Sequence, residues 1–153
     1  MQVNVSTEIN CAKEQVWQTI TDIDNCKNMI DAIIDLTVLE RPETGLVGLK
    51  WTETREMFGK EASETMWITE AVEGQYYCTR AENCGAVYLT KMAVTETDGI
   101  TRLSMSFSGQ SMTFIGKLIS GIMGLLMKKS LVKMLEKDLQ DIKQHLENKN
   151  KKG

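Results

Sequence analysis

The sequence predicts an α+β domain in which a curved antiparallel sheet wraps around one long C-terminal helix. Three observations predict it. Phe114 to Glu147 reads as a long helix, apolar almost all round to Met127 and amphipathic from Leu131, with Leu131, Leu135, Leu139, Ile142 and Leu146 at steps of three or four. From Ile33 to Ser108 the pattern is strands separated by short turns. A helix of ~34 residues would be roughly 50 Å long and cannot bury its own apolar face, so the strands must supply the cover.

The elements follow in order. Val3, Val5, Thr7 and Ile9 alternate with polar residues and predict a first, half-buried strand over 2–9. Asn10 is placed to cap a helix, AKEQVWQTITDID, that buries Val16, Trp17 and Ile20, and Asp24 or Asn25 to cap a second short turn over 25–30. Strands are then expected over 33–41, 47–58, 61–73, 75–82, 86–97 and 100–108. Their separators are Pro42 to Gly45, Gly59-Lys60, Gly74, Asn83 to Gly85 and Asp98-Gly99, short enough for an antiparallel meander. The space between a bent sheet and one helix is hard to fill with side chains, so an internal cavity is expected.

A chain of 153 residues predicts one domain, drawn here as 1–148, with the polar tail 149–153 expected to be disordered. Its hydrophobic content of 42% and charged content of 25% are ordinary for a globular protein, and a net charge of −3 argues against a nucleic-acid partner. MQVNVSTEIN has no basic or apolar signal-peptide region, and the longest mostly apolar run, 118–127, is too short to span a bilayer. A cytoplasmic protein is expected.

Cys11, Cys26, Cys78 and Cys84 lack CxxC spacing and share the chain with one histidine, His145, so they read as reduced packing thiols and no metal site is expected. No nucleophile motif accompanies His145, which reads as a solvated residue near a helix end. Gly116, Gly121 and Gly124 lie inside an apolar segment, the wrong setting for a phosphate loop, and no cofactor is expected.

VWQTITDID, VGLKWTETREMFGKE, ITEAVEG, TETDGITRLSMSF and the terminal DLQDIKQHLE together resemble the START-like (SRPBCC) superfamily. Within it, the chain is most similar to the polyketide cyclase/dehydrase and lipid-transport group, with the helix-grip fold of the birch-pollen allergen type. The resemblance covers nearly the whole chain. It implies about seven strands around the long helix, two short helices after the first strand, and a deep cavity for lipids, hormones, polyketides or other apolar molecules.

The most informative strand is 47–58. Its odd positions, Val47, Leu49, Trp51, Glu53, Arg55 and Met57, form the more apolar face, expected to look into the cavity and to carry Glu53 and Arg55 with it. Such a pair can orient a polar ligand head, transfer protons, or simply neutralise itself at the cavity mouth. Tyr88 is the favoured hydroxyl donor. Trp51 and Trp67 are expected to line the cavity, Trp17 to anchor the first helix, and Arg80 and Arg102 to be solvated.

The Met- and Gly-rich stretch with Met112, Gly116, Gly121, Met123, Gly124 and Met127 suits a mobile portal, a tightly packed helix start, or a docking surface.

The first reading is a non-catalytic binder or carrier of a hydrophobic small molecule or lipid, contacting Leu49, Trp51, Glu53, Arg55, Trp67, Tyr88, Leu118, Ile122 and Leu125. The second is a cofactor-free cyclase or dehydratase using Glu53, Arg55 and Tyr88 as acid/base and orienting groups. The third is an interaction module that docks residues 112–129 on a membrane or on a second copy in a homodimer.

Overall fold

The computed structural model describes residues 2–57, 59–83, 85–111 and 114–152, with side chains described outside 57, 110–127 and 150–152. β1 (Gln2–Ile9) leads into α1 (Lys13–Thr21), a 3-10 turn (Ile23–Asn25) and α2 (Cys26–Met29). β2 (Ile33–Glu40), β3 (Lys50–Met57), β4 (Lys60–Val72), β5 (Tyr76–Asn83), β6 (Ala86–Thr97) and β7 (Ile100–Ser111) follow, and α3 (Phe114–Lys152) completes the fold. The strands form one antiparallel seven-stranded sheet in the order β1-β7-β6-β5-β4-β3-β2. This is the helix-grip arrangement that the resemblance implied.

Local chemistry explains the turns and the bend. Asp98 and Gly99 connect β6 to β7 with φ of 53° and 81°, the two positive values that a two-residue hairpin turn needs to match strand twist. Register shifts at Ile33/Asp35 and Val38/Glu40 on β2, and at Ile68/Glu70 on β4, leave Ile34, Leu39 and Thr69 without an opposite residue. Such bulges bend the strand that carries them and increase its twist, which helps the sheet to curl.

The helical stripe Leu131, Leu135, Leu139, Ile142 and Leu146 is buried in one core with Val3, Val5, Ile9, Val16, Leu103 and Met105. Polar contacts fix α3 along the β1 edge. Lys143 Nζ donates to the Glu8 carbonyl at 2.6 Å, Gln140 Nε2 to Thr7 Oγ1 at 3.2 Å, and the Asn10 N–H to Glu147 Oε2 at 3.2 Å. In the same turn as Gln140, buried Asp141 accepts the Asp31 N–H at 3.0 Å and also binds Lys137. Trp17 anchors α1, its indole donating to Glu73 Oε1 at 3.0 Å and its ring meeting Tyr77 edge-on at 6.2 Å.

Three sequence expectations differ from the structure. Asn10 does not cap α1: the helix starts beyond Ala12, and Glu96 Oε1 accepts the Lys13 N–H at 3.0 Å instead. The third strand begins at Lys50 rather than Val47, because Gly45 and Gly48, at φ of 72° and 97°, turn the chain just before it. Asn25 takes the position before α2 but makes no side-chain cap bond there, and Asp24 instead pairs with Arg41. No helix among the described residues is long and apolar enough to cross a membrane.

Asp141 tests how the helix is held. Asp141→Ala leaves the Asp31 N–H without its partner and is expected to cost about 1–3 kcal/mol. Lys137, more than half exposed on its side chain, should cost less than ~1 kcal/mol when replaced by alanine. Urea denaturation checks this as a lower midpoint at unchanged slope.

Candidate functional site: a buried ion cluster on the concave face

Directly opposed residues of an antiparallel sheet share a face. Across the concave face, Val38, Trp51, Met66, Ala81, Tyr88 and Gly109 form one row. Leu36, Glu53 and Glu64 form the next, followed by Arg55 and Ala62. The odd face of β3 therefore looks inward, as the sequence predicted, and brings Trp51, Glu53 and Arg55 under α3.

Arg55 is the centre of the site. Its Nε donates to Glu53 Oε1 at 3.0 Å, and its Nη2 donates to Asp138 Oδ2 on α3, also at 3.0 Å. The three side chains are only 11%, 14% and 4% exposed. Burial works against the guanidinium charge, but the charges of Asp138 and Glu53 outweigh it and hold the Arg55 pKa above its ordinary value. The carboxyl of Asp138 is pushed up, first by burial, with Arg55 pulling it down and Glu53 and Asp141 adding to the rise. One guanidinium shared between two carboxylates does not fully offset what desolvation costs Asp138. Glu64 lies opposite Glu53, and its carboxyl is likewise raised, by burial and then by the Glu53 charge, against the pull of Arg55.

Two buried polar atoms here have no hydrogen-bond partner among the described residues: Trp51 Nε1, a donor, and Asp138 Oδ1, an acceptor. The neighbouring Cys26 thiol is pushed up to about 12 by burial and then by the charges of Glu53, Asp22 and Asp24, which makes it an inert packing group at neutral pH. Tyr77 is also committed, its hydroxyl donating to the Ile20 carbonyl at 3.2 Å. Among the described residues no group of histidine, cysteine and carboxylate side chains is arranged to hold a metal ion.

The other sequence candidates scatter. Tyr88 does face inward, but it stands three strands from Trp51, about 14 Å at ordinary strand spacing, so it does not join Glu53 and Arg55 in one acid/base group. It stacks on Phe107 at 5.8 Å and covers Gly109, where an added Cβ would lie 3.2 Å from its ring. Trp67 lies on the opposite, convex face: it pairs with Lys50 and Arg80, and Lys50 Nζ sits 5.8 Å from its ring centroid. Leu49 is buried just ahead of β3, where its carbonyl accepts the Ile68 N–H at 2.9 Å. The side chains of Leu118, Ile122 and Leu125, with the rest of 112–127, lie outside the described residues.

Sequence reasoning missed Asp138 and Glu64. Asp138 was detectable, since it occupies a buried step of the stripe Leu131, Leu135, Ile142 and Leu146, where an unpaired acid would be costly. Glu64 was not, because KEASET carries polar residues on both faces.

Residues 1–147 match the family model for polyketide cyclase / dehydrase and lipid transport. This chain belongs to that family. No curated protein matches it by sequence. Among solved structures, the protein TTHA0849 from Thermus thermophilus is similar with a TM-score of 0.80 at 14% identity, over 95% of this chain and 97% of its own. A START superfamily protein from Mycobacterium smegmatis gives 0.67 at 14%, over 92% and 98%. The Zhui aromatase/cyclase from Streptomyces sp. R1128 gives 0.76 at 11%, over 96% and 93%. Likeness at these identities speaks to the fold.

Two open depressions, of about 280 and 430 Å³, lie away from the cluster, lined largely by outward-facing side chains such as Glu70, Cys78, Leu89 and Lys91 in one and Lys13, Tyr76 and Glu96 in the other. They lie among solvated charges, and the concave cluster is the stronger candidate site because it combines desolvation with unpaired polar atoms.

The raised Glu64 pKa sets a pH dependence. A carboxyl whose folded pKa exceeds its unfolded value contributes stability at low pH that is lost as pH rises through the folded pKa. Glu64→Gln escapes that loss. Thermal unfolding from pH 4 to pH 7 should show the variant gaining on the parent protein as pH rises, and a constant difference would contradict the assignment.

Proposed function

We propose that this chain binds and carries a hydrophobic small molecule or lipid between the concave face of its sheet and α3, with the ligand's polar end toward Arg55, Glu53 and Asp138. One observation carries the reading. Along the same inward face, Ile68, Met92, Leu103 and Met105 are buried, whereas Met66, Tyr88 and Phe107 are only half-buried. Half-buried apolar side chains on a concave face line a space; a packed core would cover them completely. Among the described residues α3 packs chiefly over β1, β7, α1 and α2, which leaves the middle strands open toward that space. The family description, which includes lipid transport, supports the same reading.

A fluorescence titration with the neutral apolar probe N-phenyl-1-naphthylamine tests it. Saturable uptake of one probe per chain, with Met66→Asp and Phe107→Asp each weakening it about tenfold or more, is expected. A folded protein that takes up no probe would sink the reading.

The two raised carboxyls beside a fixed guanidinium favour a second reading, a cofactor-free cyclase or dehydratase that moves protons within the same space. Turnover of a linear poly-β-ketone, lost in Arg55→Met while probe binding survives, would select it over the carrier.

A further inference from the structure

The apolar character of α3 changes sides along its length. The helix is continuous from Phe114 to Lys152, so one register runs through it. Traced toward the N-terminus at steps of three or four, the buried stripe of Leu139, Leu135 and Leu131 continues as Lys128, Gly124, Gly121 and Lys117. The opposite register carries Lys133 and Lys129, both exposed, and continues as Leu126, Ile122, Ile119 and Ile115. Large apolar residues thus share a helical face with lysines that water reaches, while charge and glycine occupy the register of the core. A helix that only covers a sheet carries the reverse pattern. Lys128 is exposed although it holds a core register, so the cover that Leu131 receives ends within one turn of it.

Charge decides what suits such a face. Between Asp98 and Glu136 the chain has no carboxylate, yet it carries Lys117, Lys128, Lys129 and Lys133 there, in a protein whose net charge is −3. A second copy seated on the same face would bring a second set of lysines against the first. An acidic lipid surface instead offers acyl chains to the apolar row and phosphates to the lysines. The stretch 114–127 rises about 20 Å, short of the roughly 30 Å hydrocarbon core, so it suits lying in the interface rather than crossing it.

We propose that α3 docks on anionic membranes through Ile115, Ile119, Ile122 and Leu126, with Lys129 and Lys133 against the lipid phosphates. Docking on this face does not depend on the carrier reading, which concerns the opposite one. Ile122, a cavity contact on the sequence reading, here belongs to the lipid.

The test is flotation of the full chain with vesicles of phosphatidylcholine alone and of phosphatidylcholine with about 30 mol% phosphatidylglycerol. Binding to the acidic vesicles should be about tenfold or more tighter than to the neutral ones, and should weaken as salt is added. Lys129→Ala and Lys133→Ala should each weaken it about fivefold, and Ile115→Gln and Leu126→Gln about tenfold or more. All of these positions lie off the core register, so none of the variants should lower the urea midpoint. No binding to acidic vesicles, equal binding to both kinds, or binding unmoved in the folded variants overturns the docking. A lowered urea midpoint in Ile115→Gln and Leu126→Gln also overturns it and returns that row to the core. A dimer in light scattering that Leu126→Gln splits, with no flotation, overturns it in favour of a second copy. Probe uptake without flotation overturns the docking alone, and flotation without probe uptake overturns the carrier alone.

Discussion

The fork of Arg55 is the contact on which the geometry of the concave face depends. It joins β3, through Glu53, to α3, through Asp138, with little water to weaken either bond. A guanidinium suits the task because its donors leave a rigid plane in fixed directions, so satisfying two carboxylates from different elements sets the separation of those elements. The far side of the helix is fixed to β1 by Lys143 and Gln140. A helix held along β1 and β7 and again from β3 spans the middle strands between, which it contacts little among the described residues.

The two faces of the sheet use similar residues to different effect. On the convex side Lys91 sits over the Tyr76 ring, Lys50 over Trp67, and Arg80 beside Glu82. Solvent screens these contacts, and each contributes little. Inside, the same kinds of groups interact through a poorer dielectric, so pairing matters more and an unpaired atom costs more. The charge excess around Arg55 therefore has chemical consequences that the more numerous surface charges lack.

Much of the fold could be read from the sequence because alternation and turn residues report directly on strand faces and hairpins. The inward placement of Glu53 and Arg55 followed from the apolar odd face of β3. Trp67 shows the limit: it adjoins Met66, only one of the two can face inward, and the larger side chain was the natural choice. The register of β4 against β3 decided otherwise, and register depends on long-range pairing. Tyr88 illustrates another limit, since periodicity assigns a face but not a distance across the sheet. Asp138 was legible in principle, as an acid on an apolar stripe, but its meaning depended on an arginine more than eighty residues earlier.

The bulges of β2 have an effect beyond curvature. β2 is an outer strand of the sheet, and the residues that its two register shifts leave unopposed, Ile34 and Leu39, are also among the exposed large apolar side chains. A straight, apolar outer strand is a template on which another chain can add its own backbone, the first step of aggregation. Here the ladder is interrupted at both apolar positions, with Asp35 and Glu40 beside them, so the irregularity that helps curl the sheet also makes its free edge a poor surface for an intruding strand.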